Sequence, residues 1–314
     1  MPSFRTEIKL PASNWQIEHC HQILMTGSCF TDNIGQKLSN HFFKTCLNPF
    51  GIVFNPISVV NQLQMLLSKQ LFTEKDLFNH YGLWHSWQHH SHFSGEDKSD
   101  VLQSINEFLQ KGRELLWQAD YLIITLGSAY AYQLKSTGEV VSNCHQYPNK
   151  NFNKKLLSVN EIVDGFDQIF KELKKQNSKL KTIFTISPVR HWKDGVVENQ
   201  QSKSTLILAV HQLIKQLDDA AYFPSYELVM DDLRDYRFYK ADLLHPNKAA
   251  VDYIWQKFKN AYFNTKTQSL VERIEKLNKS KTHRPRFPKS EQHLAFLAQL
   301  KIEEELLKAE IENQ

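Results

Sequence analysis

Cysteine is scarce in this chain: four in 314 residues, at Cys20, Cys29, Cys46 and Cys144, with no C-x-x-C pair and no regular spacing. Such a set argues against a disulfide framework and offers no dithiol redox motif, so reduced thiols are expected. Long apolar runs are missing too. None approaches the roughly 20 residues that cross a bilayer. The first stretch, MPSFRTEIKLPAS, carries Arg5, Glu7 and Lys9 where a signal peptide needs an uninterrupted apolar region. The expectation is a soluble, cytoplasmic protein with no membrane partner. Charge of one sign is also lacking: 38 Lys and Arg face 34 Asp and Glu, a net +4, and no basic block reads as a nucleic-acid footprint. No internal repeat or low-complexity tract stands out.

What the chain does have is enough apolar residue, 41%, for one large α/β domain, alone or with an appendage. Four short runs rich in β-branched and aromatic residues stop at turn formers: 21–26 before Gly27, 121–126 before Gly127, 181–187 before Pro188, and 226–230 before Asp231. Helical spacing fills the segments between, over about 31–43, 58–69, 99–117, 159–177, 199–219 and 246–262. Alternation of this kind predicts a mostly parallel sheet covered by helices on both faces. Ligands in such sheets bind beyond the carboxyl ends of the strands.

Composition changes after about residue 264. A basic, proline-bearing connector over 282–290 leads to an amphipathic Glu/Lys-rich helix pattern over 291–312. Residues 1–264 are therefore expected to form the main domain and 265–314 a helical appendage. Its apolar positions Leu294, Leu297, Leu300, Ile302, Leu306 and Leu307 suit packing on the main domain or a homo-oligomer contact.

The polar residues at the strand ends carry the chemistry. Gly27-Ser28-Cys29-Phe30 follows the first strand and opens a helix. A serine there exposes Oγ above the sheet, with its N–H near the positive helix end where an oxyanion is stabilised. Serine is also a common helix N-cap, and the tetrapeptide alone does not separate the two readings. Near the other end, Asp242 stands three residues before His245, at the start of the last helix of the main domain. In that turn the carboxylate can accept imidazole Nδ1–H and leave Nε2 to take a serine proton. An isolated D-x-x-H is more often a cap beside a surface histidine.

Together the two fragments resemble the SGNH/GDSL hydrolases, which place a nucleophilic serine in the first block and Asp-x-x-His in the last. More narrowly, the chain resembles the GSCFA family, a bacterial branch of that superfamily. The matching segments are GSCFTDNIG (27–35), NPFGIVFNP (48–56), TLGSAYAY (125–132), NCHQYP (143–148), SPVRHWKDGVVENQQSK (187–203) and YFPSYELVMDDLRDYRFYKADLLHPN (222–247). The resemblance implies a three-layer α/β/α sandwich with a mostly parallel, flavodoxin-like sheet of the SGNH-hydrolase kind, plus C-terminal helices.

It further implies Ser28 as nucleophile, Asp242 and His245 as its partners, and an oxyanion hole drawn from the N–H groups of Ser28 and Gly51 beside Gly127. There the chain departs from the pattern. Gly127 is followed by Ser128, Ala129 and Tyr130, so the asparagine of the block-three G-x-N-D is missing. Loss of one such donor costs about 10²–10³ in rate. Asn55, Asn143 and His145 are the substitutes to consider.

Arg190 and His191 follow the third strand run directly, at an edge where they suit an anionic or carbonyl group of a substrate. His80, His85, His89, His90 and His92 cluster, but neither H-E-x-x-H nor a supporting Cys/Asp pattern accompanies them. No metal and no cofactor is expected. The stretch reads instead as an aromatic, polar loop over the site, with His90 or Ser91 in reach of a ligand.

The reading is a serine esterase or acyl hydrolase, its partner a small-molecule or glycan ester; deacetylation of a sugar is a natural chemistry for the superfamily. The same triad serves an acyltransferase, and the missing asparagine admits a ligand-binding protein with an impaired site. A thiol enzyme using Cys29 has less support, because a cysteine that starts a helix usually packs inward.

Overall fold

A computed structural model describes residues 5–283 and 285–313; residues 1–4, Arg284 of the connector and Gln314 lie outside the described residues. In chain order the elements are β1 (Gln22–Gly27), α1 (Cys29–Asn40), β2 (Lys44–Leu47), α2 (Pro56–Leu67), β3 (Phe78–His80), β4 (Leu83–His85) and α3 (Lys98–Gln118). Next come β5 (Tyr121–Leu126), β6 (Tyr130–Leu134), β7 (Val140–Val141), β8 (Phe152–Leu156), α4 (Val159–Gln176), β9 (Lys181–Ile186) and α5 (Val196–Gln216). The chain finishes with β10 (Ala220–Phe223), the single turn α6 (Ser225–Glu227), α7 (Lys248–Tyr262), α8 (Thr265–Lys281) and α9 (Glu291–Glu312).

Five strands form an all-parallel sheet in the order β10-β9-β5-β1-β2. Counted along the chain this is 2-1-3-4-5, the flavodoxin-like order, with its topological switch point between β1 and β5. The register sets Gly27 beside Thr125 and Thr125 beside Thr185, so the three strand ends form one rim.

Two cores follow from the period-two alternation of buried strands. Leu24, Leu122, Ile124 and Phe184 face α2, α3, α4 and α5 through residues such as Leu63, Leu109, Phe166 and Leu206. Ile23, Met25, Ile123 and Ile183 face α1 and α7 through Phe30, Leu38, Ile254 and Phe258. The three-layer α/β/α architecture is thus as the sequence pattern predicts. Two small antiparallel sheets, β3-β4 and β7-β6-β8, are carried on the long connections beyond the strand ends.

One predicted strand is corrected. Residues 226–230 form α6 and the helical turn after it, and the fifth strand lies earlier, in Ala220–Phe223. Pro224 ends β10, and Ser225 Oγ donates to Ile186 O at 2.7 Å, turning the chain back over the sheet. Leu228 and Val229 still reach the core, but from a helical turn. An apolar run of five residues has no period of its own that separates the two outcomes.

The C-terminal helices pack on each other through Leu270, Ile274 and Leu277 of α8 against Leu300, Leu307 and Ile311 of α9, with Phe42 at the margin. Lys259 and Trp255 of α7 both donate to Glu275 of α8, at 2.9 and 3.2 Å. Of the six apolar positions singled out in 291–312, Leu300 and Leu307 are buried, whereas Leu294, Leu297, Ile302 and Leu306 are exposed. Among the described residues no helix is long and apolar enough to cross a membrane.

Candidate active site

Ser28 sits at the switch point because β1 ends on a residue no side chain allows. Gly27 has φ +138°, and a Cβ there would lie 2.1 Å from Thr125 O. Ser28 is extended (φ −70°, ψ 172°) and is the N-cap of α1, its Oγ accepting the Phe30 N–H over a long 3.4 Å. The residue is wholly buried. Asn48, itself at φ +43°, braces this turn. Its Oδ1 accepts the Gly27 N–H at 2.9 Å and its Nδ2 donates to Asp32 Oδ1 at 2.6 Å. Burial pushes the Asp32 carboxyl up, against the pull of that hydrogen bond and of nearby His92 and His90.

Asp242 and His245 form a built pair. Asp242 Oδ1 accepts the N–H groups of His245 and Leu244, both at 2.9 Å, while Oδ2 lies 2.7 Å from His245 Nδ1. The backbone donors, more than the imidazole, hold the Asp242 carboxyl down at about 2. With Nδ1 committed to the carboxylate, Nε2 is left to accept a proton. Both side chains are more than 40% exposed, His245 at 42% and Asp242 at 44%. No hydrogen bond joins His245 to Ser28 among the described residues.

Arg190 anchors this loop to the β9 end. Its guanidinium donates to Leu243 O and lies 4.7 Å from the centre of the Tyr239 ring and 4.8 Å from that of Trp192. Arg190, expected to bind substrate, thus ties this loop through one guanidinium nitrogen, while its buried Nε has no partner among the described residues. His191 is different. Its N–H donates to Asn199 Oδ1 at 2.8 Å, its ring meets Phe54 edge-on at 5.3 Å, and its buried Nε2 has no partner among the described residues. Burial brings its pKa down to about 4, so the ring is neutral near pH 7. It lines a cavity of about 250 Å³ with Phe54, Ser128, Tyr130, Asn143 and Asp194. Phe54 in turn borders Gly127, and Gly127 borders Ser28 Cβ.

The expected oxyanion hole is not open. Ser28 N–H donates to Thr125 O at 3.0 Å, Gly51 N–H to Asn48 O at 2.7 Å, and Gly127 N–H to Phe54 O at 2.8 Å. All three donors are committed to main-chain carbonyls, those of Ser28 and Gly127 across segments and that of Gly51 within its own turn. Of the substitutes, Asn55 is the buried N-cap of α2, bonded through both side-chain atoms to Ser58. His145 is locked under the β3-β4 hairpin, its Nε2 2.8 Å from Ser86 O, its pKa brought down to about 4 by burial. Asn143 keeps Oδ1 on the His145 N–H, and only its Nδ2 lacks a partner among the described residues.

His90 stands over Gly51, where a Cβ would come within 2.4 Å of its own Cβ, and its Nδ1 accepts the His92 N–H at 3.3 Å. His89 is buried against Phe50, Phe72 and Phe93, and burial brings its pKa down to about 3. Among the described residues no three His, Cys, Asp or Glu side chains gather to hold a metal ion.

Two groups escaped the sequence reading. One is Asn48. The other is a polar stripe on α5: Asn199, Ser202 and Lys203 are buried at the helix start, on the face that continues as Leu206, Ala209, Val210 and Leu213. Ser202 Oγ accepts the Ala129 N–H at 2.7 Å, and Lys203 Nζ donates to Gly127 O and Ser187 O, both at 2.7 Å. The spacing i, i+3, i+4 in N-Q-Q-S-K, running into an apolar stripe of the same phase, is the signal that could have found it.

Sheet order defines a flavodoxin-like α/β protein, with Ser28 at its β1/β5 switch point. The chain belongs to the GSCFA family, whose model matches residues 22–258. No curated protein matches it. Three solved structures resemble the fold loosely. A Streptococcus pneumonia protein named for platelet activating factor aligns at 12% identity, over 78% of this chain and 84% of its own, with a TM-score of 0.39. A carbohydrate esterase family 2 enzyme with a carbohydrate binding domain, from Corynascus thermopiles (Myceliophthora fergusii), aligns at 11% identity over 85% and 68%, with a TM-score of 0.38. A carbohydrate esterase family 3 structure from Talaromyces cellulolyticus aligns at 8% identity over 82% and 99%, with a TM-score of 0.35. Superpositions this loose carry no information on substrate or residue roles.

Proposed function

We propose that the protein is a serine-dependent hydrolase of acyl esters on small molecules or glycans. The observation that carries this reading is the Asp242–His245 pair, assembled at 2.7 Å on a loop that Arg190 ties to the same strand-end rim as Ser28. In the reaction Ser28 Oγ attacks the ester carbonyl carbon while His245 Nε2 takes its proton, and Asp242 stabilises the imidazolium. His245 then returns the proton to the departing alkoxide, and water, activated by the same nitrogen, releases the acyl group from Ser28. The first-turn N–H groups of α1 at Cys29 and Phe30 take the role of oxyanion donors, because the Phe30 N–H already points at Oγ and the helix dipole favours negative charge there. Attack requires the buried Ser28 to be uncovered, so substrate entry shifts the residues that close over it.

Turnover of p-nitrophenyl acetate by the wild type, Ser28→Ala and His245→Ala tests the proposal. Loss of turnover in both variants is expected; Ser28→Ala at the wild-type rate overturns it. A second reading, ligand binding without turnover, is favoured by the closed Ser28 and by the three committed N–H groups. It predicts no turnover in the wild type and ligand binding unaffected by Ser28→Ala.

A further inference from the structure

Lys203 lies on α5 with 1% of its surface exposed, and among the described residues no carboxylate pairs with it. A lysine in such a place is costly, and an apolar side chain of the same volume commonly serves stability as well or better. Its Nζ is instead bonded to two main-chain carbonyls, Gly127 O and Ser187 O, each at 2.7 Å. These carbonyls belong to the residues just past β5 and β9, strands already paired through Ser187 N–H to Leu126 O at 2.8 Å. Gly127 is the residue against which Ser28 rests: a Cβ on Gly127 would stand 3.2 Å from Ser28 Cβ and 3.1 Å from the Phe54 ring. Displacement of Gly127 therefore displaces the serine turn or the Phe54 ring over it.

The neighbours on α5 act on the same rim. Ser202 Oγ accepts the Ala129 N–H and Asn199 Oδ1 accepts the His191 N–H, so one helical face fixes the chain at 127–129 and at 187–191. We infer that Lys203 is a positioning residue for Ser28, tying the ends of β5 and β9 into the rim that sets the serine and Phe54. The inference rests on the proposed hydrolase for its kinetic consequence, but not for its structural one.

The donor count supports the choice of an amine. A neutral amine has two N–H groups for the two carbonyls, whereas an ammonium has a third. Burial brings the group down to about 7, with an opposing pull from Cys29 of α1. His191, in the loop after β9, and the Tyr226 ring of α6, 5.8 Å away, are the other titratable groups facing it. A serine has one donor for two strand ends, a glutamine has two but on a shorter, planar amide, and an aliphatic side chain has none.

The test is Lys203→Met in the full chain, a change that keeps an unbranched side chain and removes Nζ. Amide exchange read by NMR is expected to rise at least tenfold at Ser28 and Ala129, with the central β5 amides of Leu122 and Ile123 unchanged. Exchange rising equally across the sheet, or nowhere, overturns the inference, whatever the activity. With p-nitrophenyl acetate, kcat is expected to fall at least tenfold with KM within twofold; a variant with rim exchange raised but kcat unchanged limits Lys203 to stability and overturns its role towards Ser28. Turnover insensitive to Ser28→Ala counts against the hydrolase reading alone, and the exchange pattern still decides the position of the rim. If Lys203→Met does not fold, Lys203→Leu, which also has no donor, is read in the same way.

Discussion

The side-chain oxygen of Asn48 accepts the main-chain N–H of Gly27 at 2.9 Å, one residue before Ser28. Asn48 is buried, and its positive φ of 43° is a conformation asparagine tolerates better than most residues. Asn48→Ala leaves the Gly27 N–H unpaired in the interior and strains the backbone at position 48. A loss of about 1–3 kcal/mol is expected, read by urea unfolding, together with lower turnover because the serine turn loses its brace. Unchanged stability would show that the turn is held from elsewhere.

Gly27 and Gly82 make a controlled pair. Both have positive φ, +138° and +79°, but a Cβ at Gly27 meets Thr125 O at 2.1 Å whereas at Gly82 nothing lies within 4 Å. Gly82→Ala is expected to cost about 1–2 kcal/mol from backbone strain alone. Gly27→Ala must push β1 from β5, and is expected to give a chain that does not fold cooperatively in a thermal melt. Similar melts for the two variants contradict the close approach of the strands.

Asp242→Asn tests the pair without touching the core, since Asp242 is exposed. The amide no longer favours the imidazole tautomer with Nε2 free, so kcat is expected to fall by about 10³–10⁴ with the fold intact. The Asp242 carboxyl is held at about 2 in the folded chain, so its contribution is present above its unfolded value and disappears only as pH falls towards 2. Any loss of activity between pH 5 and 7 therefore belongs to another group.

Lys203 predicts a pH dependence of stability with a definite sign. Its folded value of about 7 lies below the ordinary 10.5, so between these values the unfolded chain holds the extra proton. Stability of the wild type relative to Lys203→Met is then expected to rise from pH 7 towards pH 10, by a total on the order of 5 kcal/mol. Urea unfolding of both proteins at pH 7 and pH 9.5 reads the difference. A flat difference shows that the amine keeps its proton in the fold.

Sheet and helices were legible because β1, β5 and β9 are buried on both faces and stop at glycine or proline, with helical periods between them. β2, four residues with an exposed end, leaves no such run. The misplacement of the fifth strand at 226–230 has the opposite cause, an apolar run that the core accepts equally from a helical turn. Ser28 satisfied both of its readings, cap and strand-end serine, since the same turn produces both. The state of the oxyanion donors was not legible at all. Main-chain N–H groups at Ser28 and Gly127 take partners fixed by tertiary pairing and that of Gly51 one fixed by its turn, to which their own side chains give no clue. Lys203 was hidden by its type, because a lysine beside Ser202 on a helix reads as solvated until the phase of the apolar stripe is followed back to it.

Activation of Ser28 is the central claim, and labelling by a fluorophosphonate followed by peptide mapping tests it most directly. The account predicts a single adduct on Ser28 in the wild type, lost in Ser28→Ala and strongly slowed in His245→Ala. An adduct at another residue, or none in a chain shown to be folded, contradicts it.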